Sequence, residues 1–99
     1  MKMPMQLYIG LIGFGNVGTG VVKYFHRGNK EPYNIELKKV AVANVHKARE
    51  VDFPYITGDV KDILDDPEIN IVVELMGGES PARDYILEAI SKGKSVVTA

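Results

Sequence analysis

The 99-residue chain lacks cysteine and tryptophan altogether. Without cysteine it has no disulfide scaffold. An excess of charge of one sign is also missing, because 12 basic side chains stand against 13 acidic ones and leave a formal net charge of −1. This balance gives no reason to expect a nucleic acid or a membrane surface as partner. Uninterrupted apolar runs are only a few residues long, far short of the roughly 20 residues of a membrane-spanning helix.

The composition is that of a globular domain, with 45% apolar and 25% charged residues. The length allows one domain, residues 1–99. Residues 1–5 contain neither the apolar segment nor the cleavage site of a secretory signal, which predicts a cytoplasmic protein. The chain contains ten glycines, more than the usual share of about 7%.

Strands and helices are predicted to alternate along the chain. The predicted strands are 7–12, 37–43, 55–57, 70–75 and 94–98. The first predicted helix is 16–27, and the second is a short helix that is capped by Asp59 and carries Val60, Ile63 and Leu64. The third predicted helix has Ser80 as its N-cap and Pro81 as its first residue. The apolar faces are predicted to be Val17, Val21, Tyr24 and Phe25 in the first helix, and Ala82, Ile86, Ala89 and Ile90 in the last. Strands that are apolar on both sides and alternate with helices indicate an α/β fold, a Rossmann-type doubly wound parallel sheet in a three-layer α/β/α arrangement.

A glycine-rich motif, Gly13-Phe14-Gly15-Asn16-Val17-Gly18, follows the first strand and opens the first helix. It fits G-x-G-x-x-G in the context that favours dinucleotide binding. In this motif the first glycine permits the tight turn, the second lets a pyrophosphate approach the backbone, and the third lets the helix pack closely. Free amides at the helix start would then face the phosphates. The alternative is a purely structural turn, although glycines at 18 and 20 each cost a helix up to about 1 kcal/mol relative to alanine.

The end of the second strand bears on which cofactor binds. NAD enzymes of this class place an acidic residue about 20 residues beyond the glycines, where it holds the ribose 2′-hydroxyl. Here that place is taken by Asn44, and Lys47 and Arg49 follow on the loop. A neutral Asn44 does not repel a 2′-phosphate and either cation could pair with it, which favours NADP, or both cofactors. The alternative is that the two cations are ordinary solvated loop charges.

A second glycine pair lies just beyond the fourth strand, in Met76-Gly77-Gly78. In an open parallel sheet, ligands bind beyond the carboxyl ends of the strands where the strand order reverses. We therefore expect these three residues to border the nicotinamide half of a dinucleotide, the alternative being a plain turn before the last helix. Glu74, at the end of an apolar strand, is expected to hydrogen-bond to nearby backbone and is not assigned a catalytic role.

No grouping of residues in the sequence predicts catalysis by the chain itself. No His, Cys, Asp or Glu cluster has metal-ligand spacing, so no metal site is predicted. No nucleophile is paired with a base. The aspartates at 59, 62, 65 and 66 are interpreted as capping and turn residues.

Several segments together resemble the amino-terminal cofactor domain of homoserine dehydrogenase. They are 9–22 around the glycine motif, Lys47-Ala48-Arg49, Asp66-Pro67-Glu68-Ile69, Val73-Glu74-Leu75-Met76-Gly77-Gly78, and Gly93-Lys94-Ser95-Val96-Val97-Thr98-Ala99. The glycine motif is shared by many dehydrogenases, whereas residues 74–78 and the ending at 96–99 are far more particular to this family. The departure is Asn44, where the family more often has a charged or acidic residue.

The resemblance implies a function and a set of binding residues. Enzymes of this family interconvert homoserine and aspartate semialdehyde with NAD or NADP, on the route to threonine, methionine and isoleucine. By the resemblance, residues Phe14 to Gly18 hold the pyrophosphate, residues Met76 to Gly78 lie near the nicotinamide ribose, and Thr98 and Ala99 lie by the ring. The family motif continues with Asn and a catalytic Lys, and this chain stops before them.

The substrate-binding and dimerising domain of the family is absent from the chain as well. The expectation is therefore a domain that binds dinucleotide weakly without turnover, and that meets its small-molecule substrate only in a full-length, homodimeric enzyme. Two alternatives are a stand-alone module that senses NAD(P) and a different NADP-linked reductase of similar topology.

Overall fold

A computed structural model describes residues 6–13, 15–26, 34–46, 53–76 and 81–98. The elements are β1 (Gln6–Ile12), α1 (Asn16–His26), β2 (Asn34–Ala41), β3 (Ile56–Thr57), α2 (Lys61–Leu64), β4 (Ile71–Glu74), α3 (Ala82–Ser91) and β5 (Ser95–Thr98). Across these ranges, none of the helices is both long and apolar enough to cross a membrane.

The five strands form one parallel sheet in the order β3-β2-β1-β4-β5. The chain starts in the centre with β1, winds outward through β2 and β3, and then returns to the other side of β1 with β4 and β5. The doubly wound sheet is confirmed, and so is the predicted place of the fourth strand beside the first. The strand order reverses between β1 and β4, which is where such sheets bind ligands.

The core lies on both faces of this sheet. Leu11 and Ile12 are adjacent in β1 and almost fully buried, and they belong to clusters on opposite faces because successive strand side chains alternate. Val22 of α1 packs with the Leu11 cluster, whereas Ile63 of α2 and Ala89 of α3 pack with Ile12. The sheet is therefore covered by α1 on one face and by α2 and α3 on the other, which is the expected three-layer arrangement.

The second strand differs from its predicted span of 37–43. It begins at Asn34 because residues 34–36 pair in register with residues 6–8 of β1, although the polar Asn34 and Glu36 are exposed and give no apolar pattern. It ends at Ala41, whose carbonyl accepts the Gly13 amide at 2.8 Å as β1 turns away. Beyond it, Val42 still donates to Thr57 of β3 at 2.9 Å.

Two residues predicted for the apolar faces of helices lie largely in solvent. Tyr24 of α1 is 50% exposed and Ile90 of α3 is 56% exposed. Successive residues are turned by about 100° along a helix, so Tyr24 and Ile90 lie to one side of the row of buried residues that packs on the sheet. Among the helix side chains that the structure describes, which do not include that of Val17, the buried positions are Gly18 and Val22 in α1 and Ala82 and Ala89 in α3.

The ends of the helices agree with the sequence to within about one turn. Asp59 accepts the Lys61 amide at 2.9 Å, as predicted for a capping residue, although the assigned helix starts only at Lys61. Pro81 precedes α3 in the N-cap position and is not its first residue, and the predicted cap, Ser80, lies outside the described residues. Gly93, with φ +79°, follows α3 as predicted.

An ionic cluster fastens the turn between α2 and β4. Asp66 is 8% exposed, and its carboxylate accepts Lys38 at 2.7 Å and lies 2.9 Å from Lys39. A bulge in the β1–β2 pairing leaves Lys38 without a register partner, and both neighbouring lysines reach Asp66. Lys94 donates to the main-chain oxygens of Asp66 and Ile69 at 2.7 and 2.8 Å. Burial alone would raise the pKa of Asp66, but the hydrogen bonds from the two lysines outweigh it and hold that pKa well below its usual range.

Candidate functional site

A cavity of about 620 Å³ opens at the carboxyl ends of the central strands. It lies where the strand order reverses between β1 and β4, and the helices α1 and α3 begin beside it. The described residues that line it are Ile12, Gly13, Gly15, Ala41, Val42, Ala43, Asn44, Gly58, Val60, Leu75, Met76, Pro81 and Tyr85. A volume of this size falls in the range of cofactor and drug-like ligand sites, about 300–1,000 Å³.

The turn from β1 into α1 requires glycine at its first position. Gly13 has φ +101°, a conformation that residues with a side chain rarely adopt. A Cβ atom there would also lie 3.2 Å from the carbonyl carbon of Leu75 and from the amide nitrogen of Met76. The turn therefore packs directly on the chain that leaves β4, and the two segments together form one end of the cavity.

The other two glycines of the motif have different surroundings, because Gly18 is crowded and Gly15 is open. A Cβ atom on Gly18 would lie 2.7 Å from the carbonyl oxygen of Gly13, so this glycine lets the helix sit tightly against the turn. A Cβ atom on Gly15 would meet nothing within 4 Å, and Gly15 is exposed and lines the cavity. The backbone at Gly15 is therefore open to a ligand, as the motif predicts.

The start of α1 provides the electrostatics of this end of the cavity. The amide and hydroxyl of Thr19 both donate to the carbonyl of Gly15 at 2.8 Å, which closes the first turn. The first amides of any α-helix have no partner within the helix, and the helix dipole makes this end favourable for an anion. Because Gly15 lines the cavity at this helix end, the arrangement suits a phosphate group.

The chain leaving β2 forms a second wall. Ala41 to Asn44 line the cavity, and the Asn44 side-chain oxygen accepts the His46 amide at 3.0 Å. Asn44 comes three residues after the end of β2 and not at the end itself. None of the cavity-lining residues that the structure describes is acidic.

The chain leaving β4 forms the third wall. Met76 lines the cavity, and its amide donates to the carboxylate of Glu74 at 2.6 Å. The predicted hydrogen bond between Glu74 and nearby backbone is therefore confirmed. Thr98, at the end of β5, donates its hydroxyl to the other oxygen of Glu74 at 2.7 Å, and is not among the described residues that line the cavity.

The predicted site residues fall into three groups. Gly13, Gly15, Asn44 and Met76 share the cavity, although their positions in the sequence are far apart. Residues 16–18 begin α1 directly behind the turn, and Thr98 lies one strand further out. The remaining predicted residues lie outside the described parts of the chain; they are Phe14, Lys47, Arg49, Gly77, Gly78 and Ala99.

Sequence reasoning missed several lining residues. Gly58 and Val60 follow β3, and Pro81 and Tyr85 belong to the start of α3. Gly58 directly follows the short β3, so the rule that ligands bind at the carboxyl ends of strands points to it. Tyr85 lies one turn into a helix, and no local motif marks it. Within the described ranges, no group of three or more His, Cys, Asp or Glu residues is arranged to hold a metal ion.

Comparison with known proteins gives one consistent result. A family model described as "Homoserine dehydrogenase, NAD binding domain" matches residues 13–99. The homoserine dehydrogenase of Synechocystis sp. is 45% identical over 100 residues, which are 96% of this chain and 23% of that protein. The homoserine dehydrogenase of Bacillus subtilis is 38% identical over 92% of this chain and 23% of its own length. The crystal structure of S. aureus homoserine dehydrogenase at pH 6.0 superposes with a TM-score of 0.88 and 36% identity, over 98% of this chain and 27% of that one. The chain thus spans about a quarter of the length of the relatives it matches.

Proposed function

The chain belongs to the homoserine dehydrogenase family as its NAD-binding domain, and from this premise we propose that it is the cofactor-binding part of an enzyme that interconverts L-homoserine and L-aspartate 4-semialdehyde. The observation that carries the proposal is the backbone at Gly15, open to a ligand, at a helix start beside a cavity of about 620 Å³. The three glycines fit the dinucleotide motif, because Gly13 makes the tight turn, Gly15 leaves the backbone open and Gly18 lets the helix pack closely.

We assign the two halves of the cofactor to opposite sides of the cavity. The pyrophosphate lies on the turn and helix start, residues Gly13 to Gly18. The adenosine ribose lies toward Asn44, and Lys47 and Arg49, which follow it in the sequence, are proposed to contribute to this part of the site. The nicotinamide half lies toward Met76 to Gly78, with Thr98 and Ala99 beyond it. Support for this assignment comes from the shared cavity and from the family motif.

The chemistry divides between the cofactor and the protein. The nicotinamide would supply the redox chemistry, as the partner that accepts or donates the hydride of the substrate's alcohol carbon. The residues of this chain would bind and orient the cofactor, and the apolar residues Ile12 and Leu75 are among those that line the cavity. Removal of the hydroxyl proton is assigned to a lysine in the rest of a longer, homodimeric protein. Because the chain spans about a quarter of its relatives, we expect it to bind dinucleotide without turning over homoserine.

The cofactor is NAD or NADP, and we propose a preference for NADP. Its support is that none of the described residues Ala41 to Asn44, which form the wall at and beyond the end of β2, is acidic, whereas NAD enzymes of this class carry an acid at the end of this strand. A cytoplasmic location stays a prediction from the sequence.

The binding test uses calorimetric titration of the 99-residue chain with NAD⁺ and NADP⁺. The informative variant is Gly15→Ala, because the added methyl group meets no described protein atom within 4 Å and Gly15 lines the cavity. We expect it to weaken dinucleotide binding by about tenfold or more, which corresponds to at least about 1.4 kcal/mol.

The matched control for this test is Gly20→Ala. Gly20 lies in α1, which begins just after Gly15; it is exposed and likewise has nothing within 4 Å of its added Cβ, but it does not line the cavity. We expect this variant to bind as the wild type does. Equal binding by Gly15→Ala and wild type would mean that the pyrophosphate does not lie on this turn.

A further inference from the structure

Glu74 is a buried acidic residue at the carboxyl end of β4, with only 2% of its surface exposed. Glutamate is almost never buried to this degree unless its carboxylate is paired or hydrogen-bonded. The other buried acid of the described chain is Asp66, which lies in the turn that precedes β4 and is held by two lysines. Glu74 is held instead by an amide and a hydroxyl, beside the candidate cofactor site.

The two oxygens of Glu74 bind two different segments. Oε2 accepts the Met76 amide at 2.6 Å, and Oε1 accepts the Thr98 hydroxyl at 2.7 Å. Thr98 is also the register partner of Glu74 across the β4–β5 pairing. The side chain therefore joins the segment that leaves β4 to the last residue of β5, at the carboxyl ends of these two strands.

The peptide that Glu74 holds is part of the wall of the cavity. Its amide belongs to Met76, which lines the cavity, and the same peptide lies against Gly13 of the glycine turn. A separate main-chain bond, from the Leu75 amide to the Ile12 carbonyl at 2.9 Å, ties this segment to β1. That bond does not depend on Glu74, so the contact with the glycine turn has its own support.

We propose that Glu74 is a positioning residue for the cofactor: by holding the Met76 amide and the Thr98 hydroxyl, it fixes the wall against which the nicotinamide half binds. This inference rests on the proposed function and deepens it. Glu74 acts through its two neighbours and need not touch the cofactor. A role in folding alone would affect all ligands equally, whereas a positioning role affects only ligands that reach this wall.

Substitutions can separate the hydrogen bonds of Glu74 from its bulk. Glu74→Met keeps a similar volume but accepts neither hydrogen bond. Glu74→Gln can accept the Met76 amide and donate to the Thr98 oxygen, so it restores both contacts without the charge. Thr98→Val removes one contact at nearly constant shape, and Thr98→Ser restores the hydroxyl.

The experiment compares two ligands by calorimetric titration of the full chain. NAD⁺ carries the nicotinamide riboside, and ADP keeps the adenosine and both phosphates but lacks that half. We expect Thr98→Val to raise the Kd of NAD⁺ by about three- to tenfold, the range of one hydrogen bond, and Glu74→Met, which loses both, to raise it at least as much, while the Kd of ADP changes less than about twofold. Glu74→Gln and Thr98→Ser should return the Kd of NAD⁺ toward the wild-type value.

Ser95→Val is the matched control, since Ser95 is exposed at the opposite end of the same strand. Thermal melting of each variant checks the fold, and Thr98→Val decides the question if Glu74→Met does not fold. An equal loss of affinity for NAD⁺ and ADP, or no loss for either, would overturn the positioning role. Failure of the proposed cofactor binding is visible separately, because the wild-type chain would then bind neither ligand.

Discussion

Gly18 of α1 packs against the carbonyl of Gly13 so closely that a Cβ atom would lie 2.7 Å from that oxygen. Real Cβ atoms essentially never approach a backbone oxygen to this distance, and the backbone cannot move aside as a flexible side chain would. The third glycine of the motif is therefore required by the protein itself, before any ligand is considered. The second glycine, Gly15, shows no such crowding, so packing within the described protein does not require glycine there.

This contrast predicts opposite effects of two alanine substitutions in one helix. Gly18→Ala should lower the free energy of unfolding by about 1–3 kcal/mol, because the methyl group is forced onto backbone. Gly20→Ala should raise it by about 0.5–1 kcal/mol, because Gly20 is in open space and glycine is a poor helix former. Urea unfolding followed by circular dichroism measures both. A Gly18→Ala protein as stable as Gly20→Ala would show that the turn is not packed as described.

Gly10 of β1 is also closely approached, here by side chains of the core that packs on one face of the sheet. A Cβ atom on Gly10 of β1 would lie 2.5 Å from Cγ2 of Ile63 and 3.1 Å from Cδ1 of Ile69. Gly10→Ala should therefore destabilise the fold by about 1–3 kcal/mol through overpacking. Ile63→Ala alone should cost about 2–5 kcal/mol, because it leaves a cavity at a fully buried position.

The double variant tests whether these two residues share one space. In Gly10→Ala/Ile63→Ala the new methyl group occupies part of the volume that the isoleucine vacates, so the combined loss should be smaller than the sum by at least about 0.5 kcal/mol. Chemical unfolding of the four proteins in the cycle gives this coupling. Additive losses would mean that the helix moves away from β1 when Gly10 is substituted.

The acid stability of the domain should depend on Asp66. Its folded pKa lies below the value of about 3.9 for an unfolded chain, so its stabilising effect is complete at neutral pH and is lost as the pH falls below about 4. Asp66→Asn should therefore lower the free energy of unfolding by about 1–3 kcal/mol at pH 7. The difference from wild type should shrink as the pH is lowered through this range.

Asp65→Asn is the control for this effect. Asp65 is the neighbouring residue, its side chain is 59% exposed, and it pairs with Lys92 at the surface. Exposed pairs contribute little, so we expect a change of no more than about 1 kcal/mol. Unfolding curves from pH 3 to pH 7 distinguish the two variants, and a constant difference between wild type and Asp66→Asn would contradict the assigned role.

Features of this molecule that depend on residues close together in the sequence could be predicted from it, whereas most of those that depend on distant residues could not. The glycine turn and the contact between Glu74 and nearby backbone are local, and the residue pattern is sufficient to predict them. The switch point beside β4 joins residues that are far apart in the sequence, and it is predicted from the usual topology of doubly wound sheets. Asp66 was interpreted as a turn residue, because nothing local shows that lysines 27 and 28 positions earlier reach it.

The lining of the cavity shows the same division. Gly13 and Met76 were predicted from motifs, whereas Tyr85 enters the site only because α3 packs over the end of the sheet. The start of β2 at Asn34 was missed for a related reason, since its polar residues pair with β1 through backbone alone. Such features depend on tertiary packing, which overrides local propensity.

The choice between the two cofactors should respond to the charge at position 44. Asn44 lines the cavity and its side chain is fixed by the His46 amide at 3.0 Å. Asn44→Asp can accept the same amide, so it changes the charge with little change of shape. The new carboxylate would accept the ribose 2′-hydroxyl of NAD and would repel the 2′-phosphate of NADP.

We therefore expect Asn44→Asp to weaken NADP⁺ binding by about tenfold or more, the equivalent of at least about 1.4 kcal/mol, and to leave NAD⁺ binding equal or tighter. Ser95→Asp adds the same charge at the opposite end of the sheet and should affect neither ligand. Titration of all three proteins with both dinucleotides measures the preference. The preference for NADP would be refuted if the wild-type chain bound NAD⁺ clearly more tightly and Lys47→Ala changed neither affinity. If Asn44→Asp changed both affinities in parallel, the adenosine ribose would lie away from this wall.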